Sequence, residues 1–92
     1  MKTNANELGK KLRISNARSL EAVMKADLID AVLKAIAKDG ITHAAIAASS
    51  GLPRSAVTGI LSGSLQKVTL DRILKLVEAA GLTAQVRVRK AA

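Results

Sequence analysis

THAAIAASSGLPRSAVTGILSG, residues 42–63, decides the fold, because its small, branched and apolar residues fall where two short helices crossing through a tight turn need them. Ala47 stands where the two helices come too close for a larger side chain, and Gly51, four residues on, stands where the turn needs positive φ. Leu52, Val57 and Ile60 supply the apolar side of the second helix. Arg54, Ser55, Thr58 and Ser62 are left on the opposite side, where short polar groups and one guanidinium can reach the base edges and phosphates of a duplex.

The flanks read outward from that centre. Thr42 is a good N-cap for a helix through about Ser50, and the β-branched Ile41 before it can pack across the helix start. Leu52 precedes a proline and is biased away from helical angles, while Pro53 suits the first turn of a helix running from about Pro53 to Leu61. Ser62, Gly63 and Ser64 form an exit loop. Thr69 then caps a further helix ending near Ala80, with Leu70, Ile73, Leu74 and Val77 on one face and Asp71 in the first turn, where the helix dipole favours an anion. Upstream, Leu20, Val23, Met24, Leu28, Val32, Ala35 and Ile36 recur at three- and four-residue steps, predicting the longest helix from Ser19 to Lys38, ended by Gly40. Met24 on that stripe reads as core filler. Residues 1–18 are polar and aperiodic and read as a flexible basic arm.

After Gly81 the period changes to two. Leu82, Ala84, Val86 and Val88 alternate with Thr83, Gln85, Arg87 and Arg89, the pattern of a half-buried strand, and no second strand is visible in the chain. A lone strand leaves its backbone unpaired, so its natural partner is the same strand of a second copy, antiparallel across a two-fold axis. The alternatives are a tail packed on its own subunit or left without order. The expected organisation is an arm (1–18), a helical domain (19–81) and a dimerisation strand and tail (82–92) carried by Leu82, Ala84, Val86 and Val88.

Ninety-two residues suffice for one modest core, built here without a single aromatic residue and without cysteine, so disulfides and thiolate metal sites are excluded. A formal charge of +8 implies a polyanionic partner. Most of that charge lies at the ends: Lys2, Lys10, Lys11, Arg13 and Arg18 against Glu7 alone make a local +4 in residues 1–20, and Arg87, Arg89 and Lys90 close the chain. Basic ends supply sequence-independent attraction to phosphate, or merely solubility. No apolar run has the length of a signal peptide or spanning helix, so a cytoplasmic protein with no membrane partner is expected.

The same residues, with the exit segment LSGSLQKVTLDRILKLVEAAGL and the ending LTAQVRVR, resemble the Xre-type, phage-repressor-like helix-turn-helix family over roughly residues 20–90, and particularly its small HigA-like antitoxins and autorepressors. The resemblance implies a mainly α fold of four to five helices with a C-terminal strand paired across a dimer. By position it implies that Arg54, Ser55 and Thr58 read the groove, with Ser62 near the backbone. Gly59 would let DNA approach closely, or is a tolerated helix glycine costing about 1 kcal/mol. His43 stands where relatives commonly carry a glutamine that contacts phosphate or base, and its ring donor can serve there. Ser50 replaces a usually apolar group, which implies a weaker seam, and Pro53 replaces a hydroxyl N-cap.

An enzyme is poorly supported by one histidine, no cysteine and no carboxylate pair in an apolar setting. No metal set or cofactor is expected, and Glu21, Asp27 and Asp30 read as a solvated helix face. The sequence therefore points to a homodimeric, double-stranded DNA-binding repressor. The alternative is an antitoxin that neutralises a cognate toxin protein through the amino-terminal arm and binds DNA to regulate itself. Nonspecific binding of single strands is disfavoured by the missing stacking residues.

Overall fold

The computed structural model describes residues 13–65 and 67–90, and the helices among them are α1 (Arg13–Asp39), α2 (His43–Ser50), α3 (Arg54–Leu61) and α4 (Leu70–Ala79). The capping chemistry follows the sequence. Thr42 is extended (φ −88°, ψ 157°), and its Oγ1 accepts from the Ala45 N–H at 3.0 Å, satisfying one orphan donor of α2. Thr69 does the same for α4 through the Arg72 N–H at 3.3 Å. Gly51 takes φ +76° and its N–H donates to the Ala47 carbonyl at 3.0 Å, closing α2 in the left-handed conformation that a Cβ would oppose.

Pro53 lies just outside α3 as its N-cap, not within its first turn, and provides no side-chain cap. Its φ of −58° and ψ of 146° deliver the chain to Arg54 at the helix start, so ring rigidity replaces the missing cap bond in fixing the entry. Ser50, which the resemblance reads as replacing an apolar group and weakening the seam, ties the turn instead. Its hydroxyl donates to the Ala47 carbonyl (3.3 Å) and accepts from the Leu52 N–H (3.2 Å), bridging the bend around Gly51.

The buried core comprises Ile29, Val32 and Ala35 from α1, Ile46 from α2, Val57, Ile60 and Leu61 from α3, and Ile73, Leu76 and Val77 from α4 with Ala80 beyond it. Ala47 and Leu52 pack against this cluster. Ile46, Val57, Ile73, Leu76 and Val32 are its fully enclosed side chains, which places the helical pair 42–61 on a floor formed by α1 and α4.

Two expectations about α1 need correction. α1 begins at Arg13, ahead of Ser19, so residues 13–18 are helical and only residues 1–12 of the expected arm lie outside the described residues. Polar residues such as Ser and Asn cost a helix only a few tenths of a kcal/mol each, so they do not stop it. The apolar stripe of α1 also divides. Leu28, Val32, Ala35 and Ile36 meet the core, but Leu20, Val23 and Met24 are 56%, 58% and 46% exposed. A 27-residue helix is about 40 Å long, and the molecule measures 46 × 23 × 22 Å, so α1 outruns the other described helices that pack on it.

The expected C-terminal strand is not formed among the described residues. Residues 82–90 carry no regular secondary structure, because a strand needs a partner backbone and the described residues offer none. Leu82 is tied down, its N–H donating to the Val77 carbonyl (3.0 Å) and its side chain packed on the core, whereas Ala84, Val86 and Val88 face solvent. No described helix is long and apolar enough to cross a membrane.

Candidate nucleic-acid interface

The outer side of α3 follows from its own periodicity. With Val57, Ile60 and Leu61 sealed in the core, the helix turns Arg54, Ser55 and Thr58 outward, and all three are exposed. Ser62, at the helix end, is exposed too, and its hydroxyl donates to the Thr58 carbonyl at 2.7 Å. That bond uses the Ser62 proton and leaves only oxygen lone pairs for any further contact.

Gly59 is half-buried, and a Cβ built on it would meet nothing within 4 Å. The protein's own packing therefore does not require glycine at this position.

His43 opens α2 and reaches across to α3. Its Nδ1 lies 3.2 Å from Thr58 Oγ1, a hydrogen bond whose direction follows the imidazole tautomer. Two residues singled out separately in the sequence are thus joined, a pairing that fifteen residues of separation concealed. Arg54 makes no ion pair among the described residues, and no acidic residue occurs between Thr42 and Gly63. The surface around α3 is therefore free of negative side chains from its own segment, which suits approach to phosphate.

The acidic residues that are paired lie elsewhere. Glu21 binds Lys25 (2.6 Å), Asp30 binds Lys34 (2.9 Å) and Asp71 binds Lys75 (3.5 Å), all at i, i+4 on α1 or α4. Nothing in the sequence marks Lys25 as buried, yet it is only 6% exposed, in contact with the Glu21 carboxylate. The hydrogen bond from Lys25 and then its charge, with a smaller contribution from Arg18, hold the Glu21 carboxyl below its ordinary value. The bond to Asp30, and then its charge, raise Lys34. Arg18, Glu21, Ala22, Lys25 and Leu65 line an open groove of about 410 Å³ between α1 and the loop after α3. Among the described residues no cluster of His, Cys, Asp and Glu is placed to hold a metal ion.

Two short helices at a glycine turn, the second with a sealed face and a polar outer face, define a helix-turn-helix DNA-binding domain. The model of the family described as helix-turn-helix domain matches residues 10–89, and the chain belongs to that family. No curated protein and no solved structure matches the chain. DNA is accordingly the partner the family indicates.

Proposed function

We propose that the protein is a sequence-specific transcriptional repressor of the Xre type, HigA-like in its subgroup, that binds double-stranded DNA as a homodimer. The observation that carries this reading is the exposure of Arg54, Ser55 and Thr58 together on the one side of α3 that the core leaves open. α3 of each subunit enters the major groove, the two half-sites lying about 34–36 Å apart on a palindromic operator. Arg54 recognises guanine or phosphate, Ser55 and Thr58 make supporting base contacts, Ser62 and His43 lie near the backbone, and the open space over Gly59 admits DNA.

The homodimer is supported by the tail. Val86 and Val88 are 79% and 87% exposed on a segment with alternating pattern and no backbone partner among the described residues. Antiparallel pairing of Ala84, Val86 and Val88 with the same residues of a second copy satisfies both needs, with Leu82 anchoring each strand to its own core. Selection of bound sites from random duplexes tests the whole reading. A two-fold symmetric motif is the expected result; enrichment of no motif, or binding indifferent to sequence, contradicts it.

The antitoxin reading is favoured by a different observation: Leu20, Val23 and Met24 lie exposed on the part of α1 that adjoins the arm, an apolar surface suited to a protein partner. Its test is whether a neighbouring reading frame encodes a growth-arresting protein whose effect this chain relieves. Relief that survives Leu20→Asp and Met24→Asp in the same chain contradicts the assignment of that face.

A further inference from the structure

The contact between His43 and Thr58 joins the start of α2 to the middle of the outward face of α3, and it carries a consequence for what that face can select. We propose that His43 is a positioning residue that accepts the hydrogen bond donated by the Thr58 hydroxyl, so that Thr58 meets a duplex with oxygen lone pairs only. Thr58 then selects a base that displays an amino group in the major groove, adenine or cytosine. This inference rests on α3 being the groove-entering helix.

A threonine inside a helix can donate its hydroxyl hydrogen bond to a carbonyl three or four residues back. Ser62 does so, donating to the Thr58 carbonyl at 2.7 Å. Thr58 makes no such bond among the described residues, and its Oγ1 lies 3.2 Å from the His43 ring instead. The proton of Thr58 is therefore not committed to its own helix.

The imidazole decides where that proton goes. A neutral ring carries one N–H, on either Nδ1 or Nε2. When α3 lies in the groove, the start of α2 lies against the sugar-phosphate backbone, because the first helix of the pair crosses it. Phosphate oxygens only accept, so the ring nitrogen facing them, Nε2, carries the hydrogen. Nδ1 is then a lone pair, and Thr58 donates to it. Thr58 retains two acceptor sites, which match the N6 amino group of adenine and the N4 amino group of cytosine and find no partner in guanine O6 or thymine O4. With the proton on Nδ1 the preference inverts, since Thr58 would accept from the ring and donate to the base.

The test is motif selection from random duplexes with the full-length chain, His43→Ala, Thr58→Val and the double variant, each checked for unchanged helical content by circular dichroism. The wild-type motif should favour adenine or cytosine over guanine or thymine at one position of each half-site. His43→Ala should reduce that preference about fivefold, the scale of one net hydrogen bond, while the rest of the motif persists. Thr58→Val should do the same, and the double variant should lose no more than either alone. Nitrogen NMR of the histidine ring on the selected duplex should show Nδ1 without hydrogen. An unchanged motif in His43→Ala, a guanine or thymine preference at that position, or hydrogen on Nδ1 overturns the assignment to His43. Failure of the wild type to enrich any motif overturns the underlying reading of α3 and this assignment with it.

Discussion

Residues 42–61 and the two ends of the chain solve opposite problems. In the central pair every local device is satisfied within the molecule: Thr42 caps, Gly51 turns, Ser50 bridges the bend, and Ile46, Val57 and Ile60 are enclosed. Toward the ends of the described residues, Leu20, Val23, Met24, Val86 and Val88 lie open to solvent. All of Ala17 to Met24 is exposed, and Val88 is 87% exposed. A surface left open on a closed frame presents polar groups in fixed geometry, as α3 does. A surface left open on an unfinished element presents apolar groups that call for a second molecule. Under the proposed function, the contrast separates the surface that reads DNA from the surfaces that associate.

The largest effect should come from the enclosed side. Ile46→Ala removes a fully buried side chain and should cost about 2–5 kcal/mol in denaturant unfolding, whereas Val88→Ala should change monomer stability by less than about 0.5 kcal/mol. Equal costs at the two positions would abolish the distinction between closed frame and open end. Val86→Asp with Val88→Asp should shift the chain from dimer to monomer in sedimentation while leaving its circular dichroism unchanged; a dimer that persists places the association surface elsewhere.

Next in size, Arg54→Ala should weaken binding to the selected site by about 1–3 kcal/mol. A loss spread uniformly over unrelated duplexes would make Arg54 a phosphate anchor and not a base reader. Within the turn, Thr42→Ala removes the bond to the Ala45 N–H and should cost about 1 kcal/mol of stability.

The smallest effect concerns pH. Glu21 is held below its ordinary 4.5 by Lys25, so the folded state binds its proton less readily than the unfolded chain does. The stabilising contribution is present above pH 4.5 and is lost as pH falls through the lowered value. Denaturation midpoints of wild type and Glu21→Gln should therefore differ more at pH 6 than at pH 3, to the wild type's advantage, and a constant difference would contradict the pairing.

Much of the frame was legible because its signals are local. Thr42 and Thr69 announce helix starts through side-chain oxygens, Gly51 a turn through its missing Cβ, and the spacing of Leu28, Val32 and Ala35 a buried stripe. What was misread depends on neighbours that a sequence does not display. The stripe through Leu20, Val23 and Met24 has helical spacing, but α1 outlasts its partners among the described helices. The alternation after Gly81 is a property of side chains, while a strand is a property of two backbones. Lys25 reads as a surface residue until Glu21, one turn earlier, is seen to supply its counter-charge. Of the candidate site, the outward placement of Arg54, Ser55, Thr58 and Ser62 was readable from period alone. The bond between His43 and Thr58 was not, since it requires the crossing angle of α2 and α3.

The central claim is that the outer face of α3 is what meets DNA. Amide chemical-shift mapping on titration with the selected duplex tests it most directly. The account predicts the largest changes at His43 and from Arg54 to Ser62, with small changes in α4. Changes confined to the basic tail, with Arg54, Ser55 and Thr58 unmoved, would contradict it.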